Sequence, residues 1–360
     1  MSEIKIATFN IEWMVSLFGG RWTDWVSPTI PPTFPGRSLG GIRLEPIADV
    51  PALCQRIAGV IQGIGAQIIG IQEGPPLKEQ LEVFVKRFLG NEYVVHHSNP
   101  NWQSVCALVH KSISNRVTVL APDSPEVTHL RSAIPYYPWG KFAKADQKKH
   151  RFARHPLILR FRPDAEKELR LIVLHTKSKF SKLKTREQWE AREPEAIQDA
   201  LDTRQKLSAE IARIREFLDD QLKNSGWKSP IITMGDFNDG PFAELMEEEF
   251  LIHNIIDELV GSLLTPTHHL RHAMEPQVLA TASTTRFPDP LNNGQITEEL
   301  IDHILVSPGI WRKTSPFRLK KNSCRVEAQV FDQHNADTGP VLQRGLRPSD
   351  HKPVSAVLTY

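Results

Sequence analysis

Residues 230–239 read PIITMGDFND, an apolar run that ends in a group of polar residues. The apolar part is short and contains β-branched side chains, which is typical of a buried strand rather than a helix. Asp236 and Asn238 follow it two positions apart, and in an extended chain this spacing puts both side chains on the same side. The alternative is a turn in which both residues satisfy backbone donors. We interpret the stretch as a buried strand with a polar site at its end.

The same pattern recurs along the chain. Further short apolar runs with polar ends are KIATFNIEW (5–13), QIIGIQEG (67–74), VCALVHK (105–111), PLILRFRP (156–163), LRLIVLHTKSK (169–179), LIDHILVS (300–307) and HKPVSAVLTY (351–360). Amphipathic stretches at about 49–64, 76–89 and 186–224 predict helices, and Pro194 is expected to break or kink the last of them. Strands mixed with helices favour one α/β domain over residues 1–360, with mixed sheets and helices outside.

Two long segments have no clear periodicity. The first, 14–48, is rich in proline and glycine and contains Trp22 and Trp25; the second, at about 262–298, is polar and carries three histidines. Loops of this length in a compact domain are usually functional or disordered. We expect the first to be an ordered loop that stacks on bases or blocks one side of a groove.

Composition sets limits on the protein class. The chain has 360 residues, 40% of them hydrophobic and 24% charged, which is ordinary for a globular protein. The net charge is only +2, so any surface that binds a polyanion must be local. Cys54, Cys106 and Cys324 are expected to be buried free thiols of a reducing compartment. No long apolar run and no export signal are visible, so we expect a cytoplasmic protein that has no membrane partner.

The polar strand ends supply the groups that phosphodiester hydrolysis needs. A metal neutralises the phosphate, a base activates water, and hard divalent ions prefer carboxylate and amide oxygens. Glu73 ends an otherwise uncharged run, where a carboxylate needs either solvent or a partner such as Mg²⁺ or Mn²⁺. His175 could donate a proton or serve only a structural role, and Lys177 and Lys179 behind it would add positive potential.

The C-terminal run begins with adjacent Asp350 and His351, whose carboxylate and imidazole could orient each other. The twofold alternation of a strand would point their side chains apart, so at most one would reach the substrate. The stretch 141–154 contains six lysines and arginines, a local basic run of the kind that contacts a nucleic-acid backbone.

In order along the chain, FNIEW, IQEG, HTKSK, MGDFND, IDHILVS and SDHKPV resemble the motifs of the endonuclease/exonuclease/phosphatase superfamily, which includes deoxyribonuclease I. The resemblance implies a four-layer α/β sandwich of two packed mixed β-sheets flanked by helices, with the site at one end. HTKSK and HNAD (334–337) are similar to the bacterial nucleases of this superfamily. RFARHPLILRF (151–161) resembles the deoxyribonuclease I segment whose arginine approaches phosphate.

The resemblance also implies roles, motif by motif. The implied metal-binding residues are Asn10, Glu12, Glu73 and Asp350. The implied catalytic residues are His175, Asp236, Asn238, Asp302 and His351. The substrate phosphate is expected to be bound by Arg154, Lys177 and Lys179, and the cofactor to be Mg²⁺ or Mn²⁺.

The leading functional hypothesis is a nuclease that hydrolyses DNA, in preference to RNA, by in-line attack of activated water. One alternative is a phosphatase or phospholipase-type enzyme acting on inositol phosphates or sphingomyelin-like lipids. Another is a catalytically inactive binding protein, which would be expected to have lost some of the acidic strand ends. His175 resembles the histidine of the deoxyribonuclease I branch, whereas the abasic-site endonucleases of the superfamily carry tyrosine at this position, so an abasic-site role is disfavoured.

Overall fold

A computed structural model describes residues 2–19, 28–39, 42–337 and 343–360, without the side chains of Leu39 and Pro290. The strands are β1 Glu3–Asn10, β2 Arg37–Leu39, β3 Ile42–Leu44, β4 Ile68–Gly74, β5 Tyr93–His97, β6 Ser104–His110, β7 Val117–Val119, β8 Ile134–Tyr136, β9 Lys148–His150, β10 Leu157–Phe161, β11 Leu169–His175, β12 Ile231–Asp236, β13 Arg271–His272, β14 Thr285–Asp289, β15 Gln295–Glu299, β16 Asp302–Val306, β17 Arg318–Leu319, β18 Arg325–Val326 and β19 Val354–Thr359. The helices are α1 Val50–Ile64, α2 Lys78–Phe88, α3 Pro125–Arg131, α4 Arg186–Glu190, α5 Pro194–Asn224, α6 Leu245–Phe250, α7 Ile255–Val260, α8 Pro276–Leu279, α9 Pro308–Trp311 and α10 Ala328–His334.

The strands form two large sheets. The first has the order β17-β19-β1-β4-β6-β5, with β18 also paired to β19, and the second has the order β13-β16-β12-β11-β10-β7. Each sheet contains one parallel pair, β1 with β4 and β11 with β12, flanked by antiparallel strands. The carboxyl ends of the parallel strands therefore meet the amino ends of their antiparallel neighbours at one edge.

The two sheets pack face to face through alternate side chains. Ile4 and Ile6 of β1 share one buried cluster with Ile232 and Met234 of β12. Burying an aliphatic side chain of this size contributes about 1.5–3 kcal/mol. This apolar interlayer holds the ends of the two parallel pairs close together.

Helices cover the outer faces of both sheets. Phe9 of the first sheet packs in one cluster with Leu53 of α1, and Ile172 of the second sheet packs with Ile214 of α5. The layers are thus helix, sheet, sheet and helix. The predicted four-layer α/β sandwich of mixed sheets is confirmed.

The two segments without periodicity differ from expectation. The segment 262–298 contains β13, α8 and the hairpin β14–β15, whose strands are too polar and exposed to be recognised from sequence. The segment 14–48 contains a 3-10 turn at Met14–Phe18 and the hairpin β2–β3, while the predicted stacking residues Trp22 and Trp25 lie outside the described residues.

Smaller predictions also have clear outcomes. Pro194 is the first residue of α5 and separates that helix from α4, as predicted. All three cysteines are buried and free. In the part of the chain that the structure describes, no helix is both long and apolar enough to cross a bilayer.

Candidate active site

Strand alternation brings four predicted side chains to one end of the interlayer. Asn10 ends β1, His175 ends β11 and Asp236 ends β12, each in phase with the residues of its strand that face the other sheet. Asp302 begins β16, and the sheet register pairs Asp236 with both Asp302 and His175. Because side chains alternate with a period of two, a register shift of one residue in any of these strands would turn its terminal polar side chain away from the site.

Three buried carboxylates form what is here termed the acidic cluster: Glu73, Asp236 and Asp302. Asn10 Nδ2 lies 2.9 Å from Asp236 Oδ2 and 3.4 Å from Glu73 Oε1, so one amide spans two of the carboxylates. Asp236, Asp302 and His351 offer oxygen or nitrogen atoms that all lie within 4.8 Å of one another. The predicted catalytic and metal-binding residues of five motifs therefore lie together.

The acidic cluster carries more negative charge than its buried setting favours. Burial raises the pKa of Glu73 to about 7, and the nearby Asp350 carboxylate adds to the rise. Burial likewise raises the pKa of Asp236 to about 6, with opposition from His351 and reinforcement from Asp302. Desolvation disfavours the charged form of a carboxyl, and neighbouring carboxylates do the same. The cluster is thus suited to a cation.

The two histidines of the site have opposite charge preferences. His351 Nδ1 lies 2.8 Å from Asp302 Oδ2; burial opposes its charging, but Asp302, Asp350 and Asp236 hold the pKa of His351 well above its ordinary value. For His175, burial and then Arg154 and His351 hold the pKa well below that value. At neutral pH His351 is therefore an imidazolium donor, and His175 is a neutral imidazole. The predicted proton donation fits His351 rather than His175.

Glu73 reaches the site through an interruption of its strand. In β4, Ile69 and Ile71 face the helices, and regular alternation would point Glu73 the same way. The pairing of β4 with β6 shifts register between Ile71 and Gly74, and Glu73 has a φ of 57°. A non-glycine residue in this left-handed region is unfavourable, and such strain is often found at functional sites. The Trp13 backbone N–H, which donates to Glu73 Oε2 at 2.6 Å, stabilises the turned conformation.

The sequence predicted that strand alternation places Asn238 on the same side of the chain as Asp236, but the chain is not extended there. The chain turns after Asp236, and Asn238 has a φ of 52°. Its backbone N–H donates to Asp236 Oδ1 at 2.8 Å, and its side-chain amide donates to the Thr176 carbonyl at 3.0 Å. Asn238 thereby ties the end of β12 to the end of β11.

Asp350 and His351 also differ from expectation. They precede β19, and the backbone N–H of His351 donates to Ser349 Oγ at 3.0 Å in a turn. Since the chain is not an extended strand there, the two side chains do not point apart; Asp350 Oδ1 lies 3.9 Å from His351 Nε2. The closer partner of His351 is Asp302.

Glu12, an implied metal ligand, is paired with arginines. Arg347 donates from Nε to Glu12 Oε2 at 2.9 Å and from Nη2 to Oε1 at 2.6 Å. Burial would raise the pKa of Glu12, but Arg344 and Arg347 outweigh it and lower that pKa. Both carboxylate oxygens accept from a guanidinium, so Glu12 is an ion-pair partner in this structure, and the metal contact that the motif implied stays a prediction.

Lys179, an expected phosphate-binding residue, lies among carboxylates. Its ammonium lies 3.1 Å from Asp239, 3.8 Å from Glu299 and in close contact with Glu244. Arg204 contacts Asp239, Glu244 and Glu247 from the other side. The members of this group are Lys179, Arg204, Asp239, Glu244, Glu247 and Glu299. We name it the balanced cluster, because each of its carboxylates lies within ion-pair distance of one of its cations. The ammonium of Lys179 is paired with three carboxylates in this structure, and its contact with phosphate stays a prediction.

The other two predicted phosphate-binding residues are held locally. Arg154 donates from Nε to the His175 carbonyl at 3.3 Å and from Nη2 to the Thr176 carbonyl. Lys177 Nζ donates to the Ser178 carbonyl at 2.7 Å. Arg154 thus fixes the end of β11 beside the site, and a phosphate contact by either residue stays a prediction.

The residues present fit a hard divalent cation. Asp302 Oδ1 is buried and has no hydrogen-bond partner in the described ranges 2–19, 28–39, 42–337 and 343–360. Oxygen donors in excess of neighbouring positive charge are the setting that Mg²⁺ and Mn²⁺ prefer. Glu73 and Asp350 would hold such an ion, with Asp236 and Asp302 beside it.

Sequence reasoning missed several groups that shape the site. They are the backbone N–H of Trp13, the carbonyl of Thr176, and the guanidiniums of Arg344 and Arg347. The two backbone groups leave no trace in residue type. Arg347 left a weak signal, because it lies only two positions before the C-terminal motif SDHKPV.

No family model matches the sequence, and no curated protein matches it. Solved structures match over almost the whole chain. TDP2 from C. elegans is 13% identical, with 99% of this chain and 75% of that chain covered and a TM-score of 0.48. An endonuclease/exonuclease/phosphatase from Bacteroides vulgatus is 13% identical, with 100% and 99% covered and a TM-score of 0.47. D. rerio TDP2, complexed with a single-strand DNA product, is 12% identical, with 100% of both chains covered and a TM-score of 0.46.

Proposed function

We propose that this chain is a divalent-metal-dependent phosphodiester hydrolase whose substrate is nucleic acid, with DNA preferred over RNA. The acidic cluster is the observation that carries the proposal. Among the described residues, no lysine or arginine lies within ion-pair distance of Glu73, Asp236 or Asp302, although all three are buried. Three buried carboxylates that share a single imidazolium, His351, carry excess negative charge, which is expensive unless a further cation is bound.

A bound Mg²⁺ or Mn²⁺, held by Glu73 and Asp350 with Asn10 beside them, would neutralise phosphate charge and polarise its oxygens. Asp236, with a pKa of about 6, is the base that orients and deprotonates the attacking water near neutral pH. His351, kept cationic by Asp302, donates to a phosphate oxygen as negative charge develops there. His175 and Asn238 contact the phosphate as neutral donors.

Purified protein incubated with plasmid and single-stranded DNA in Mg²⁺ or Mn²⁺ tests this proposal. We expect cleavage that EDTA abolishes and that Asp236→Asn reduces strongly. Lys223→Gln is a suitable control, because Lys223 is exposed at the far end of α5. Absence of cleavage by the wild type, or equal cleavage by Asp236→Asn, would overturn the proposal.

One observation favours a second substrate class, phospholipids or inositol phosphates. A cavity of about 760 Å³ adjoins Asn238 and His351 and has apolar walls that include Leu183, Met246 and Phe287. A lipid headgroup with its first methylenes would suit such walls. Release of phosphocholine from sphingomyelin vesicles, or of phosphate from inositol polyphosphates, distinguishes this class from a nuclease. The inactive-protein hypothesis is disfavoured because every acidic strand end is present.

A further inference from the structure

The hairpin β8–β9 and its connecting segment expose three large aromatic side chains. Tyr137, Trp139 and Phe142 are 41%, 48% and 91% exposed. Isolated exposed apolar residues are common, but a group on one hairpin is typical of a binding surface. We term residues 134–151 the aromatic hairpin.

Positive charge is interleaved with these rings. The aromatic hairpin carries five lysines and arginines, Lys141, Lys144, Lys148, Lys149 and Arg151, against a single carboxylate, Asp146. All five are exposed, and within the described residues only Lys148 lies within ion-pair distance of a carboxylate, at 3.7 Å from Asp202. Free cations beside aromatic faces are the combination that binds single-stranded nucleic acid.

The aromatic hairpin is held rigidly against α5. Gln205 accepts from the backbone N–H of Trp139 at 2.9 Å and donates to the Tyr137 carbonyl at 3.1 Å. A groove of about 350 Å³ lies between these aromatics and α5, lined also by Ser208 and Ala212. The rings therefore lie on a backbone that is already held in place next to a groove, so that little conformational entropy is lost on binding.

One buried carboxylate connects the aromatic hairpin with the site. His150 Nε2, at the end of β9, lies 2.8 Å from Glu210 Oε1. The other oxygen of Glu210 accepts the backbone N–H of Lys177 at 2.7 Å, two residues beyond His175. The chain then continues from Arg151 to Arg154, which binds the carbonyls at the end of β11. The cations thus lead from the hairpin tip toward the acidic cluster.

We propose that the aromatic hairpin is an accessory binding site for single-stranded nucleic acid, in which Trp139 stacks on a base and the lysines contact phosphates. The identity of the ligand as a substrate rests on the proposed function. The cations are not confined to the residues around Phe142 but continue along the chain to Arg154 at the end of β11, which favours a polymer over a membrane surface.

Fluorescence anisotropy with labelled oligo(dT), in EDTA and at several salt concentrations, tests the proposal without catalysis. We expect Trp139→Ala to raise Kd about tenfold. Lys141→Gln/Lys144→Gln/Lys149→Gln should raise Kd further and reduce the slope of log K against log salt by about 2, since each phosphate contact contributes about 0.7 for single strands. The control Lys223→Gln/Lys313→Gln/Lys321→Gln removes the same charge from exposed positions elsewhere and should change neither quantity.

Hydrolysis of bis(p-nitrophenyl) phosphate in Mn²⁺ separates this proposal from the catalytic one. Unchanged hydrolysis in the hairpin variants, with weakened oligonucleotide binding, supports the accessory site. Loss of binding in these variants while the wild type hydrolyses nothing also supports it and overturns only the catalytic proposal. Unchanged Kd in folded Trp139→Ala and lysine variants overturns it. So does loss of binding to phosphatidylserine vesicles while oligonucleotide affinity is retained, because the hairpin would then bind membrane.

Discussion

Two groups of buried charges lie within a few residues of each other, and they are built differently. The acidic cluster has no lysine or arginine within ion-pair distance among the described residues, and its Asp236 has a raised pKa. In the balanced cluster Asp239, three positions later, lies 3.1 Å from Lys179 and 3.5 Å from Arg204. Both contain buried carboxylates, but only in the balanced cluster does every carboxylate lie within ion-pair distance of a lysine or arginine.

This difference separates a structural from a functional role. Removing one partner of a buried ion pair leaves an uncompensated charge, so the balanced cluster depends on each of its members. Neutralising a carboxylate of the acidic cluster removes repulsion and desolvation cost instead. The same substitution, aspartate to asparagine, should therefore affect the stability of the two clusters in opposite directions.

The largest expected effect is on catalysis by Asp236→Asn. We expect kcat/KM for an oligonucleotide to fall about 10³-fold, the range assigned to loss of a general base. The melting temperature without metal should rise or stay constant, because a desolvated carboxylate is gone. Steady-state kinetics and calorimetry on the same preparation measure both. A clear loss of stability would mean that Asp236 belongs with the structural ion pairs.

The matched change, Asp239→Asn, should destabilise the fold by about 3 kcal/mol, since it removes a fully buried carboxylate that lies 3.1 Å from Lys179 and 3.5 Å from Arg204. Urea unfolding of the two variants side by side makes the comparison. Equal stability of Asp239→Asn and wild type would remove the distinction between the clusters.

Divalent metal should stabilise the wild type by about 2.7 kcal/mol at a concentration of one hundred times its Kd, because it binds only the folded site. Glu73→Gln should lose this response, whereas Glu12→Gln, although less stable, should retain it, since Glu12 is paired with Arg347. Melting temperatures with and without Mg²⁺ and Mn²⁺ test both variants. A lost response in folded Glu12→Gln would restore its implied metal role.

A smaller effect is the pH dependence of stability without metal. The pKa of Asp236 in the folded protein is about 6, above its ordinary value near 4. A raised pKa favours folding while the group is protonated, and that contribution is lost as pH rises through about 6. Asp236→Asn mimics the protonated form. Its melting temperature in EDTA should equal that of wild type near pH 4 and exceed it increasingly up to about pH 7; a gap that does not change with pH would contradict the raised pKa.

The smallest expected effect is on substrate binding by Lys179→Gln. Because three carboxylates neutralise Lys179, KM for an oligonucleotide should not change, although the melting temperature should fall. Titrating the folded variant with oligonucleotide provides the measurement. An increase in KM of about tenfold would return Lys179 to its predicted phosphate contact.

The polar residues of the site were recognisable in the sequence because each ends an apolar run. Asp236, Glu73 and His175 interrupt patterns that otherwise bury every side chain, and polarity at such a position needs a reason. The face of the strand on which a side chain lies was also predictable: Asp236 is in phase with Ile232 and Met234, which face the other sheet. Pairing partners were not readable. The residue type of Glu12, Lys179 or Asp350 does not reveal whether its charge binds metal, binds phosphate or pairs with an opposite charge elsewhere in the chain.

The sequence by itself determined the strands, the helices and the polar strand ends, because alternation and run length are local properties of the chain, while the layered sandwich was implied by its resemblance to a known superfamily. Only the tertiary structure decided the charge balance. Whether a buried carboxylate is neutralised depends on residues distant in sequence, as Arg347 is from Glu12 and Arg204 is from Asp239. It also depends on backbone turns such as the left-handed conformation of Glu73. Interactions across the chain, which residue type does not encode, separate the acidic cluster from its balanced neighbour.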